Sequence, residues 1–184
     1  MKVTKVTPVH KSNKTKLFEE YYFNMPFRHW QIFLDMDGVI CDFNGRFKEM
    51  IGRSPKEFES LYGTEAFKEK VLEKGEEFWS EMNWLPDGKL LWNYLKKYSP
   101  NILSKPLDPV KCVNGKIGWL YKHLGRNIAY NFSTEKEEYA HEYAILIDDN
   151  EDNCTAFRNA GGKAILYKDS TQAINILKKV YNLQ

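Results

Sequence analysis

Short apolar runs, separated by polar stretches with helical spacing, set the rhythm of this chain. Gln31-Ile32-Phe33-Leu34-Asp35 is the first such run; it ends at a carboxylate, as expected of a buried parallel strand whose carboxyl end opens into a crevice. From Phe43 to about Met82, charged and aromatic residues recur at helical spacing between the breakers Gly52, Pro55, Gly63 and Gly75, which predicts several short helices. Pro86-Asp87-Gly88 reads as a turn, after which Leu90, Leu91, Tyr94 and Leu95 follow a helical period until Ser99-Pro100 ends it. Asn101-Ile102-Leu103-Ser104 reads as a second strand, ending in a hydroxyl. A helix from about Val110 to His123 closes at Gly125, and Ile128 to Phe132 reads as a third strand. Lys136 to Glu142 predicts a short helix. Ala144-Ile145-Leu146-Ile147 is the clearest strand in the chain, and Ala164 to Tyr167 follows the Gly161-Gly162 turn as another.

Strands alternating with helices predict the α/β class, a three-layer Rossmann-like parallel sheet wound on both sides. The polar 43–85 segment then reads as a small helical cap inserted after the first strand, with 30–42 and 86–184 forming the core. Residues 1–29 show neither helical nor alternating periodicity, and Pro8 and Pro26 interrupt both, so they read as an arm of unassigned structure. Its aromatic patch Phe18, Tyr21, Tyr22 and Phe23 is suited either to packing on the domain or to covering the site of a neighbouring subunit in a homodimer.

Composition narrows this picture. A chain of 184 residues suffices for one α/β unit with an insertion but hardly for two independent cores. Hydrophobic residues at 42% supply a packed interior even though 28% of the chain is charged. A formal net charge of +2 leaves no broad electrostatic footprint for nucleic acid or an anionic membrane, so anion recognition has to be local. Lys2, Lys5, Lys11, Lys14 and Lys16 read as residues that solvate the arm. Cys41, Cys112 and Cys154 lack the paired spacing of a zinc site or disulfide framework, which suits a reducing, cytoplasmic setting. No apolar run approaches bilayer length, and the polar first residues lack the core of a secretory signal, so a soluble protein is expected.

The strongest local chemical signal is Asp35-Met36-Asp37-Gly38-Val39, where a buried strand should emerge into a loop. Residues i and i+2 of a strand point the same way, so two carboxylates can share one site, and Gly38 lets the backbone turn sharply beside them. An Asp after a strand is also a common turn former or helix cap. The second site, Ile145-Leu146-Ile147-Asp148-Asp149, is another apolar strand ending in carboxylates. Acids converging on one sheet edge repel one another unless a cation sits among them, and oxygen-only ligands favour magnesium over zinc. A phosphate ester entering such a crevice needs donors. Ser104 and Lys136, each just after a predicted strand, are the candidates, and Lys105 and Lys116 compete for the positive role.

In this order the four segments resemble the motifs of haloacid dehalogenase-like phosphatases: Asp35-x-Asp37-Gly38-Val39, Ser104, Lys136 and Asp148-Asp149. Within that superfamily the chain is most similar to the deoxyribonucleotidase branch. The similarity runs through Asp35 to Phe43, Phe78-Trp79, Leu85-Pro86-Asp87-Gly88, Ile102 to Pro106, Lys136 to Ala140, Ile147 to Asn150 and Gly161-Gly162. The resemblance implies the haloacid dehalogenase-like version of the fold and hydrolysis of phosphate monoesters, in particular deoxynucleoside monophosphates. It implies that Asp35 is the nucleophile that becomes an aspartyl-phosphate, while Asp37 protonates the departing oxygen and later activates water. Magnesium would be held by the Asp35 carboxylate, the Asp37 carbonyl and one of Asp148 or Asp149, with Asp149 preferred. Ser104 and Lys136 would hold the phosphate's remaining oxygens, and Phe43, Phe78, Trp79 and Trp84 would line the base pocket or, alternatively, form ordinary cap core. Lys105 departs from the branch, which usually carries a small hydroxyl residue there, and offers an extra cation for phosphate.

Two other readings stay open: the same chemistry on a nucleic-acid end, a phosphoprotein or another small metabolite, and a catalytically silent nucleotide-binding or interaction module. The near-neutral charge argues against long nucleic acid, and the full set of acids speaks against the silent module.

Overall fold

The computed structural model describes residues 30–184, so the expectations for the arm 1–29, its covering role in a dimer included, fall outside the described residues. Five parallel strands form one sheet in the order β3-β2-β1-β4-β5: β1 (Gln31–Leu34), β2 (Asn101–Ser104), β3 (Tyr130–Phe132), β4 (Ala144–Asp148) and β5 (Lys163–Leu166). The central strands are buried on both faces, with Ile32, Phe33 and Leu34 and all of β4 inside, which is why they read as unbroken apolar runs. Alternation sends Ile32, Leu34, Ile145 and Ile147 into one core and Phe33, Leu103 and Leu146 into a smaller one on the opposite face.

Helices cover both faces, giving the three-layer α/β architecture that the alternation predicts. The larger core is closed by α4 (Pro86–Leu95), α5 (Lys111–His123) and α7 (Ser170–Tyr181) through Leu91 and Leu95, Trp119 and Leu120, and Ala173 and Leu177. Phe157 of α6 (Glu151–Asn159) fills the smaller one. Three further helices, α1 (Phe43–Ile51), α2 (Pro55–Glu73) and α3 (Glu76–Ser80), stand between β1 and α4. Asp42 caps α1, a Ser54–Glu57 capping box opens α2, and α2 breaks at Gly63, whose φ of 85° and ψ of 165° are not helical. Against α5, α3 lies very close: a Cβ added at Gly115 would stand 2.4 Å from the Glu76 carbonyl oxygen.

Some local expectations shift. Pro86-Asp87-Gly88 is the first turn of α4 rather than a free turn, because proline at the start of a helix gives up only an unneeded N–H. The third strand begins at Tyr130, and Lys136–Tyr139 forms a single 3-10 turn. The helices α6 and α7, capped by Asn150 and Asp169, were not anticipated. Among the described residues no helix is long and apolar enough to cross a membrane.

The topology sets the position of the site. The chain passes from β1 to β2 and β3 on one side, then jumps back to β4 and β5 on the other. The strand order therefore reverses at β1 and β4, and their carboxyl ends open a crevice between diverging loops.

Candidate active site

Past Leu34 the chain stays tied to the sheet for one more residue, with the Asp35 N–H donating to the Ile147 carbonyl at 3.0 Å. It then curls: the Met36 carbonyl accepts from the N–H groups of Val39, Ile40 and Cys41 at 3.2, 2.9 and 2.8 Å, and the Gly38 N–H donates to Cys41 O at 3.0 Å. Gly38 has a φ of +78°, and a Cβ there would lie 2.2 Å from Asp149 Oδ2. Only glycine suits that backbone, and its bareness lets the loop after β1 touch the end of β4. Asp35 and Asp37 thus line the same cavity of ≈ 250 Å³ as Asp148 and Asp149, together with Ser104, Lys105 and Lys136.

Within that cavity Asp35, Asp148 and Asp149 each offer a carboxylate oxygen, and the three atoms lie within 4.8 Å of one another. The buried Lys136 ammonium is 2.8 Å from Asp35 Oδ1 and 2.6 Å from Asp148 Oδ2. Asp148 is completely buried and heavily anchored: it accepts from the Asn150 N–H at 2.9 Å and from Asn153 Nδ2 at 3.1 Å. Asp149 is the more exposed of the two, and its carboxylate is the one facing Gly38.

A second cation ties the other half together. Lys116 on α5 is fully buried and donates to Asp37 Oδ2 at 2.7 Å, Ser104 Oγ at 2.8 Å and the Lys105 carbonyl at 3.1 Å. All three ammonium hydrogens are thereby used. The other Asp37 oxygen, Oδ1, is buried without a hydrogen-bond partner among the described residues.

The electrostatics follow. Burial pushes the Asp37 carboxyl up, an effect the Lys116 charge opposes and the Asp35 charge reinforces. Asp148 is likewise raised by burial and by Asp35, against Lys136. Protein packed around Asp149, and the charges of Asp35 and Asp148, push its carboxyl up to about 7 even though the residue as a whole is exposed. Burial alone would lower both lysines, but the carboxylates beside them outweigh it and hold Lys116 and Lys136 protonated. The all-oxygen cluster of Asp35, Asp148 and Asp149, crowded by its own charge, fits a small hard cation such as magnesium.

The aromatic residues expected around a base are divided. Phe43 lines the cavity. Phe78 is fully buried behind it, edge-on at 5.2 Å, and Trp79, 1% exposed, packs on Phe78 and beside Gly115. Trp84 packs on Trp119 at 4.9 Å and donates its Nε1–H to His123 Nδ1 at 3.2 Å. Phe78, Trp79 and Trp84 are therefore not brought to the cavity wall; they pack on Phe43, on one another and against Trp119 and Gly115 of α5.

Asn44, Asn150 and Asn153 line the cavity without having been singled out as site residues, and the bridging role of Lys116 was not foreseen. A signal for Lys116 does exist: it lies with Cys112, Trp119 and Leu120 on the buried stripe of α5, where a lysine needs a paired charge.

No family profile matches the sequence, and no curated protein matches it. Solved structures do. A hydrolase from Streptococcus pneumoniae is similar at TM-score 0.51 and 13% identity, over 83% of this chain and 100% of that one. A haloacid dehalogenase-like family hydrolase from Streptococcus pneumoniae is similar at TM-score 0.50 and 15% identity, over 80% of this chain and 90% of that one. At such identities the likeness shows the fold, a haloacid dehalogenase-like parallel sheet with flanking helices.

Proposed function

We propose that this chain is a magnesium-dependent phosphatase that hydrolyses small phosphate monoesters, deoxynucleoside monophosphates foremost, through an aspartyl-phosphate on Asp35. The observation that carries the reading is the meeting of Asp35, Asp37, Ser104, Lys136, Asp148 and Asp149 in one cavity at the reversal of strand order.

In the first step Asp35 attacks phosphorus, and the bond to the leaving oxygen breaks while Asp37 delivers a proton to that oxygen. In the second, Asp37 takes a proton from the water that attacks the phosphoryl group, releasing phosphate and restoring Asp35. The Asp37 carboxyl lines the cavity, and burial pushes it up against the pull of Lys116, which suits a group that passes a proton in both directions. Lys136 and the Ser104 hydroxyl would hold phosphoryl oxygens. Magnesium, held by Asp35, the Asp37 carbonyl and Asp149, would neutralise phosphate charge in an acidic crevice. Asp149 is preferred over Asp148 because Asp148 is already engaged by Lys136, Asn150 and Asn153.

The inserted helices would act as a cap, with Phe43 as the apolar wall for a base or sugar and Lys105 as an exposed cation at the cavity. The three free, buried cysteines suit a cytoplasmic setting. Incubation with magnesium and a panel of nucleotides and sugar phosphates tests the proposal. Phosphate should be released from nucleoside monophosphates, and Asp35→Asn should lower turnover by about a thousandfold or more with the fold retained. Release confined to sugar phosphates would keep the chemistry and move the substrate, a reading favoured by Phe43 standing alone among the expected aromatics at the cavity. No release from any ester would overturn the proposal.

A further inference from the structure

We infer that Lys116 is a positioning residue that aims both Asp37 and Ser104 at the substrate, and that Gly115 couples its placement to the inserted helix α3. The inference rests on the phosphatase reading and deepens it, because it concerns how the proton donor is held.

The geometry at Lys116 is directional. Its ammonium occupies Asp37 Oδ2 at 2.7 Å and leaves Oδ1 as the oxygen without a partner. It also donates to Ser104 Oγ at 2.8 Å, so the serine accepts there and its own O–H is left to donate elsewhere. The third donor is tied to the Lys105 carbonyl at 3.1 Å, which fixes the ammonium against the loop after β2. One fully buried side chain thus fixes the rotation of the Asp37 carboxyl and the direction in which the Ser104 hydroxyl is free to turn. Lys116 is not among the cavity-lining residues, so it acts through these two groups rather than by touching the ester.

Its own position depends on the neighbouring residue. At Gly115 a Cβ would lie 2.4 Å from the Glu76 carbonyl oxygen and 3.0 Å from Trp79 Cβ, so α3 and α5 approach as backbones at that point. One residue further along α5, the Lys116 side chain reaches Asp37 and Ser104 behind the cavity wall. Any displacement of α3 against α5 therefore moves the group that aims the proton donor.

General-acid catalysis gives a readout that simple loss of structure does not. An alkyl leaving oxygen, as in a nucleoside monophosphate, needs its proton as the bond breaks, whereas the p-nitrophenolate anion leaves readily without one. The ratio of kcat/KM for a deoxynucleoside monophosphate to kcat/KM for p-nitrophenyl phosphate therefore reports the aim of Asp37. Lost phosphate affinity or partial unfolding would lower both values together.

The test measures that ratio, with magnesium, in the full chain, in Lys116→Met and in Gly115→Ala. Methionine keeps the length and bulk of the buried stem without the charge, while alanine at 115 keeps every polar group and forces α3 and α5 apart. The ratio should fall by about tenfold or more in Lys116→Met and in the same direction, by about threefold, in Gly115→Ala. If Lys116→Met does not fold, as judged by circular dichroism, the ratio in Gly115→Ala decides. A wild-type protein active on both esters, with a ratio unmoved in the folded variants, overturns this inference alone. A wild-type protein that cleaves neither ester overturns the phosphatase reading and this inference with it.

Discussion

Asp149 carries the clearest pH signature of any residue at the site. Its carboxyl stands near 7 in the folded chain against an ordinary value of 3.8, so between those limits the folded state holds a proton that the unfolded state has lost. That sign makes this residue's contribution to the stability of the metal-free protein fall as pH rises from about 4 towards 7. On the proposed reading magnesium would bind the Asp149 carboxylate in place of that proton, so the rise in melting temperature on adding magnesium should grow from about pH 5 to about pH 7 and flatten above it. Thermal unfolding across that range, with and without the ion, checks it, and Asp149→Asn should weaken the pH-dependent part, leaving what the raised Asp37 and Asp148 carboxyls contribute. A magnesium effect equal at all pH values would contradict it. Asp35, Asp37, Ser104 and the 148/149 pair were legible as residues because each follows an apolar run that a parallel sheet buries up to its carboxyl end, while Lys136, three polar residues past a half-buried edge strand, was legible only by its place in the ordered set of motifs. Asn153 and the three-way grip of Lys116 were not: their roles depend on the rotation of a helix against the sheet, which local spacing does not specify.

At the scale of elements, the start of α4 is pressed onto the loop that follows β1. A Cβ at Gly88 would lie 2.0 Å from the Val39 carbonyl oxygen and 2.7 Å from the Ile40 Cα, both backbone atoms in a loop held by its own hydrogen bonds. Gly88→Ala should therefore destabilise the fold by about 1–3 kcal/mol through overpacking, although alanine is the better helix former. Denaturant unfolding measures this, and an unchanged or raised midpoint would show that the contact yields. The same segment explains a misplaced boundary, since Pro-Asp-Gly serves equally as a turn and as the first turn of a helix, and only packing on Val39 chooses between them. The central strands β1, β2 and β4 were readable because each carries a short continuous apolar run. In α6 only Cys154 and Phe157 are buried, too few apolar positions for a period to stand out. Phe78, Trp79 and Trp84 show the limit for side chains: aromatic residues near an insertion suit a pocket wall and a core alike, and here they pack between helices.

For the whole molecule, the alternation of strands and helices was enough for a doubly wound parallel sheet, because right-handed crossovers leave few other arrangements. The order β3-β2-β1-β4-β5 was not legible, since neighbours in a sheet are chosen by how whole layers pack. That order makes the site: it sets β1 between β2 and β4, so that the Asp35 and Asp37 carboxylates, the Ser104 hydroxyl and the Asp148–Asp149 pair, from distant parts of the chain, share one edge. If this arrangement performs phosphoryl transfer, the covalent intermediate must form on the first carboxylate after β1. Acid quenching during turnover of a deoxynucleoside monophosphate with magnesium, then borohydride reduction and peptide mass spectrometry, reads it directly, because an acyl phosphate is reduced to an alcohol and an ordinary carboxylate is not. Conversion of Asp35 to homoserine, dependent on both substrate and magnesium and confined to that residue, is the expected result. Reduction at another carboxylate, or none while phosphate is being released, would contradict it.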